Sequence, residues 1–259
     1  YENRAGANGI IGAEAVAKAP ADGYTLFLSS SGALVLNVGL YDKLPYDPVK
    51  DFSPITMIAI APNVLVVKGA LPVKNVQQLI AYAKANPGKL NWASSGGGGA
   101  SMTMELLRMT AELSIVSVAY KGAGPAAAAV LAGEADLMFA NAGVFLPHLK
   151  TGRIRALGVS SLKRLSILPD VPTIDESGLR GFEGSTWYGL VAPAGTPTSV
   201  INILNTETVK LLQSPEFVNR FAAEGAIPAG NSPEQFAAEL QKEIPKWTRV
   251  IKAAGLKAG

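Results

Sequence analysis

Two apolar runs in this chain end in the same Ala-Pro step: Phe52 to Ile60 before Ala61-Pro62, and Trp187 to Val191 before Ala192-Pro193. Proline cannot donate to a strand ladder, so each step marks a strand end or a crossing. Between them lies one complete alternation of helical stretches and short β-rich runs. A helix over about 73–85 is stopped by Asn86-Pro87-Gly88. Strands follow over 90–93, 115–119, 136–140 and 155–159, separated by helical segments, one opened by Pro125 and one around His148. The helix after residue 100 places Met102, Leu106, Met109 and Leu113 on one face. Such alternation builds mostly parallel sheets flanked by helices. A chain that leaves one lobe, completes a second and returns has this pattern. The expected fold is α/β and two-lobed, with two hinge crossings: residues 1–62 and 188–259 in lobe I, 63–187 in lobe II, and the C-terminal helices packed on lobe I.

The chemistry-bearing stretch is Asn91-Trp-Ala-Ser-Ser-Gly-Gly-Gly-Gly-Ala-Ser101, four glycines between a strand and a helix. Backbone N–H groups at a helix start carry orphan donors and partial positive charge, so they hold an anion without any lysine. Glycine lets the backbone come close. Ser94, Ser95 and Ser101 add hydroxyls around Gly96, Gly97, Gly98, Gly99 and Ala100. Ser29, Ser30, Ser31 and Gly32, read as the loop after a strand over 24–28, repeat the arrangement in lobe I. Loops at strand C-termini are where open α/β sheets bind ligands, so the two are expected to face one cleft. Each contact is worth about 0.3–2 kcal/mol, and several must converge for micromolar affinity.

Other chemistries fit less well. The glycine loop lacks the Gly-Lys-Ser/Thr ending of a P-loop. Gly122-Ala-Gly-Pro-Ala-Ala127 matches a loose dinucleotide pattern, but the next strand ends Phe139-Ala140-Asn141, with no acid for a ribose. Lys150-Thr-Gly and Ser160-Ser-Leu-Lys163 occur in the reverse of the serine β-lactamase order, and there is no Ser-Asp-Asn. A hydrolase using Ser160 and Lys163 is the alternative reading. One histidine, no cysteine and no G-x-S-x-G motif leave little for catalysis, a metal or another cofactor. Charged residues are 17% of the chain and the net charge is +3 with no basic run, which argues against nucleic acid and suits a small anion. The longest apolar run near the start is too short to span a bilayer.

The stretches Tyr1-Glu-Asn-Arg-Ala-Gly-Ala-Asn-Gly-Ile-Ile-Gly-Ala-Glu-Ala-Val-Ala-Lys-Ala19, Asp22-Gly-Tyr-Thr-Leu26 and Lys43-Leu-Pro-Tyr-Asp-Pro-Val-Lys-Asp-Phe52 resemble the Bug receptors, the solute-binding proteins of tripartite tricarboxylate transporters. The likeness continues through Ala93-Ser-Ser-Gly96, Tyr120-Lys-Gly122, Leu168-Pro-Asp-Val-Pro-Thr173 and Gly189-Leu-Val-Ala-Pro-Ala-Gly-Thr-Pro197. It covers essentially the whole chain. The resemblance implies a periplasmic, monomeric Venus-flytrap receptor of the type II binding-protein class, not an enzyme. It would take citrate, a dicarboxylate, an acidic amino acid or an aromatic acid, and deliver it to a two-component membrane permease. By position it implies ligand loops at Ser29 to Gly32, at Ser94 to Ser101, after Tyr120, and at Ala140-Asn141.

Two departures carry expectations. Members of that family begin with a strand and a Pro-Gly-Gly loop; this chain starts after them, short by about one βα unit, roughly 30 residues or more, so a truncated chain is expected. Members also place a histidine where this chain has Ser101-Met-Thr-Met104, which points to a more apolar ligand.

Overall fold

The computed structural model describes residues 2–4, 6–96 and 98–257. In chain order the elements begin with α1 (Ile10–Ala17), β1 (Phe27–Ser30), a π-helical turn (Gly32–Leu36) running into α2 (Asn37–Leu40), β2 (Phe52–Ala61), β3 (Asn63–Lys68) and α3 (Val76–Ala85). They continue with β4 (Asn91–Ser94), α4 (Gly99–Ala111), β5 (Val116–Ala119), α5 (Ala123–Ala132), β6 (Leu137–Asn141), α6 (Ala142–Phe145) and β7 (Ile154–Val159). The last are β8 (Thr186–Pro193), α7 (Thr198–Leu212), α8 (Pro215–Ala223), β9 (Ile227–Pro228) and α9 (Pro233–Ala253). The chain divides into two units, Tyr1–Ile60 with Thr186–Phe221 and Ala226–Gly259, and Ala61–Ser185 with Ala222–Gly225. The expected α/β class with two bodies is what is found. The second Ala-Pro step, read as a crossing, instead closes β8 inside the first unit, because the chain has already changed unit at Thr186.

The second unit is a five-stranded sheet in the order β5-β4-β6-β3-β7. β4 is parallel to β5 and β6, while β3 runs antiparallel to β6 and β7. Strands buried on both faces read as unbroken apolar runs, and successive side chains divide between the faces. Leu65, Val67, Trp92, Leu137 and Phe139 face a core built with α3 and α4. Val64, Val66, Ala93, Met138 and Ala140 face the other core, with α5 and α6. The face expected for the helix after residue 100 is buried at Met102 and Leu113, and Leu106 packs half-buried against the core of α3 and α4; of the four, Met109 alone is exposed, at 37%. The buried surface of α4 is wider than that stripe, since Met104, Leu107 and Ala111 also enter the core and Ser101 and Thr103 are buried too.

The first unit holds a four-stranded sheet, β1-β8-β2-β9. Its pairs β1–β8 and β2–β9 are antiparallel, unlike the parallel trio of the second unit. β8 and β9 enter from outside any βαβ crossover, so nothing obliges them to run parallel to their neighbours. α9 begins with a capping box, Ser232 and Gln235 bonded reciprocally with Pro233 at the first helical position. Phe236, Leu240, Glu243, Trp247 and Val250 form its buried stripe. The Glu243 carboxylate sits in that stripe because it accepts from the indoles of Trp247 at 2.9 Å and Trp187 at 3.3 Å, and pairs with Lys246 at 3.1 Å.

Candidate functional site

In the second unit the parallel register brings the expected loops together. Ser94 stands opposite Ala119, and the Tyr120 N–H donates to the Ser94 carbonyl at 2.8 Å. The carboxyl ends of β4 and β5 therefore lie side by side, with β6 next to β4. Glycine at 96 follows from a φ of +100°, which turns the chain out of β4. α4 starts at once, with Gly98 as its N-cap and no side chain capping it. Its first backbone bond runs from the Met102 N–H to the Gly98 carbonyl at 3.1 Å. The N–H groups of Gly98, Gly99, Ala100 and Ser101 precede that bond and have no helical acceptor. Gly97 lies outside the described residues.

The serines do more than line this end. Ser94 Oγ and Ser101 Oγ are 3.2 Å apart and share a hydrogen bond, while the Gly96 N–H reaches Ser94 Oγ at 3.4 Å. Both hydroxyls are nearly buried, so the pair ties strand end to helix start and leaves one O–H to donate. Ser95 and Tyr120 are half-buried, and Lys121 beside Tyr120 is exposed. Ala140 is a correction: its side chain is 2% exposed within the α5 core, and its backbone pairs with Val64. Asn141 Nδ2 donates to the Ala61 carbonyl at 3.2 Å and to Asn63 Oδ1 at 3.4 Å. One turn along α4, burial pushes the Glu105 carboxyl above the ordinary glutamate range, against the pull of Arg108 at 2.6 Å.

In the first unit, Ser29 to Gly32 are not a separate loop. Ser29 and Ser30 close β1, paired with Gly189 and Tyr188, and Ser31 is the N-cap of the helical turn opening at Gly32. Ser29 and Ser31 are 4% exposed, so Ser30, with its Oγ accepting from the Gly32 N–H at 3.3 Å, is the accessible one. Asn8, absent from the expected site, joins them. It adopts φ 50° and ψ 39°, and its amide stands against Gly32. Asn8 Nδ2 donates to Asn37 Oδ1 at 2.8 Å, and Asn37 Nδ2 returns a bond to the Asn8 carbonyl at 3.2 Å. Asn37 also donates to the Tyr46 hydroxyl, which donates to the Ala33 carbonyl at 2.6 Å. Burial raises the Tyr46 pKa, against the Asn37 bond, so the phenol stays protonated. The signal was present in Gly6-Ala-Asn-Gly-Ile, a second glycine loop leading into a helix.

The alternative nucleophile is differently employed. Ser160 is 0% exposed; its Oγ accepts the Asn63 N–H at 2.8 Å, and its own N–H donates to the Asn63 carbonyl at 2.8 Å. Lys163 is exposed, and its carbonyl accepts from Ser161. A base and an accessible hydroxyl are both missing from Ser160. No helix among the described residues is long and apolar enough to cross a membrane.

The sequence profile described as the tripartite tricarboxylate transporter family receptor matches residues 1–256. Protein BugT of Bordetella pertussis is 38% identical over 258 residues, spanning 99% of this chain and 79% of that protein. The solved structure of R. palustris Rpa4515 with adipate superposes with a TM-score of 0.86 at 37% identity, covering 99% of this chain and 86% of that one. MatC (Rpa3494) from Rhodopseudomonas palustris with bound malate gives 0.79 at 32% identity, covering 95% and 85%.

Proposed function

The chain belongs to the tripartite tricarboxylate transporter receptor family, the Bug receptors, and we propose that it captures a small carboxylate in the periplasm and hands it, as a monomer, to a two-component membrane permease. The carrying observation is the uncapped start of α4. Four successive backbone N–H groups, Gly98 to Ser101, meet the Ser94–Ser101 hydroxyl pair at the carboxyl ends of parallel strands. That array matches a carboxylate in charge and in donor count. Adipate and malate in the two related structures belong to the same chemical class. Ser95, Tyr120 and Asn141 complete the proposed set in the second unit; in the first unit, taken by itself, Ser30, Gly32 and the neighbouring backbone form a separate candidate group. The stretch Ser101 to Met104, which has no histidine, favours a ligand with a less polar body, such as adipate over citrate.

A thermal-shift screen over adipate, malate, citrate and benzoate tests this. A ligand at about 100 times its Kd stabilises the folded state by about 2.7 kcal/mol. For a chain of this size that moves the midpoint by roughly 5–10 °C. Adipate is expected to give such a shift; no shift with any of the four would end the receptor reading. Ser101→Ala removes one donor and is expected to weaken adipate by about 1 kcal/mol, roughly fivefold in Kd by calorimetry. An unchanged Kd would move the carboxylate away from α4.

A further inference from the structure

A wholly buried polar cluster lies behind the start of α4 and has no part in the binding chemistry described so far. Thr103, in the second turn of α4, is 0% exposed, as are Asn63 at the start of β3 and Ser160 at the end of β7. The Gly184 carbonyl accepts from Thr103 Oγ1 and from Asn63 Nδ2, the latter at 2.8 Å. Asn63 Nδ2 also donates to Thr103 Oγ1 at 3.0 Å, and Thr103 Oγ1 lies 2.9 Å from the Gly99 carbonyl. Residue 184 fits here only without a side chain, since a Cβ would stand 2.8 Å from Thr103 Cγ2 and 2.9 Å from its Oγ1. Ser160 closes the ring: its carbonyl accepts the Gly184 N–H at 3.0 Å, and it exchanges two bonds with Asn63.

Three features set this cluster apart from ordinary core satisfaction. It grips Gly99, the first residue of α4, whose N–H belongs to the proposed carboxylate array. It joins that residue to Asn63 and Gly184, which lie next to two of the places where the chain changes unit, after Ile60 and after Ser185. And all its members are inaccessible, so they cannot touch ligand directly. Buried polar groups with every partner in place fix one geometry, because any displacement leaves a donor or acceptor unsatisfied.

We propose that Thr103 and Asn63 are positioning residues for carboxylate binding, setting the first turn of α4 against the chain-crossing segments so that its N–H groups converge on one point. This rests on the receptor reading above, and its test has one arm that does not.

Thr103→Val keeps the volume and removes the hydroxyl; Thr103→Ser keeps the hydroxyl. In the ligand-free protein, hydrogen exchange of peptides covering 98–103 and 184–187 is expected to accelerate at least about fivefold in the valine variant and to return near wild type in the serine variant. In calorimetric titration with adipate, the valine variant is expected to lose about tenfold in Kd and the serine variant less than about threefold. Unchanged exchange at either segment overturns the proposal whether or not adipate binds. Faster exchange with Kd held within about threefold also overturns it, because the cluster is then structural only. Should wild type itself fail to bind adipate, the receptor reading loses that ligand, and the exchange arm alone decides whether Thr103 holds the turn.

Discussion

Gly189→Ala is expected to destabilise the first unit by about 3 kcal/mol, near the upper end for overpacking by one carbon. The new Cβ would sit 2.3 Å from Cζ of Phe236 and 2.8 Å from its Cε1. The ring has little room to retreat. Phe236 is 0% exposed and packs edge-on against Trp187, centroids 5.4 Å apart. Trp187 is held in turn through its indole N–H to the Glu243 carboxylate, which Trp247 and Lys246 also hold. Moving the ring therefore disturbs a buried carboxylate, and moving the strand disturbs the Ser29–Gly189 pairing that ends β1. Urea unfolding followed by tryptophan fluorescence reads this directly, since two of the three tryptophans, Trp187 and Trp247, flank the clash. Phe236→Leu in the alanine background should recover at least about 1 kcal/mol relative to additivity, because the two sites touch. A loss under 1 kcal/mol, or strict additivity, would mean that α9 packs on β8 differently.

That close approach shows what a sequence conveys and what it conceals. The alternating runs from Phe52 to Val159 announced strands and helices because burial on both faces leaves a continuous apolar signature, and every strand expected there exists within a few residues. Boundaries slid where polar residues joined a ladder. Ser29 and Ser30 read as loop chemistry, yet pairing with Gly189 and Tyr188 makes them strand. β9 has two residues and no period to detect, and it exists only because β2 offers it an edge. The wider buried surface of α4 has a similar cause. Met109 is as apolar as Met104 and Leu107, and only the neighbouring sheet decides that it stays 37% exposed while they are covered.

The candidate site, which stands as a proposal, was legible in one of its two aspects. Glycines and serines before a helix signal free N–H groups, because no other residues leave the backbone so open, and Gly98 to Ser101 do precede the first helical bond. Buried polar contacts carry no such signature. Thr103 lies between two methionines, with Ser101 and Glu105 beyond them, and Asn63 follows Pro62 at the head of an apolar run. Pattern alone cannot tell a strand-end filler from a bonded hub. Asn8 was hidden for another reason: its bond to Asn37 spans 29 residues of sequence.

The hub reading of Asn63 has a large and pH-dependent consequence. Asn63→Asp is nearly isosteric, yet it replaces the Nδ2 donor with an oxygen that faces the Gly184 carbonyl, a contact now bridged by a 2.8 Å hydrogen bond. At 0% exposure the new carboxylate would keep the Asn141 amide, 3.4 Å from Oδ1, and the other groups bonded to the Asn63 side chain among the described residues, Thr103 and Gly184, carry no positive charge. An uncompensated buried charge costs about 3–5 kcal/mol, and that is the expected loss at pH 7.5. Desolvation pushes such an acid above the ordinary aspartate value of about 3.9, so between that value and the native pKa the folded protein binds more protons than the unfolded chain. Stability relative to wild type must then fall as pH rises through that window, by up to about 1.4 kcal/mol per unit, and level off above it. Below about pH 4 the neutral acid can donate to Gly184 as the amide did, and most of the deficit should vanish. Urea titrations of both proteins by circular dichroism at pH 4 and 7.5 provide the comparison. A deficit that is small at pH 7.5, or that widens on acidification, would show that Asn63 is neither sealed from water nor bonded as its geometry requires.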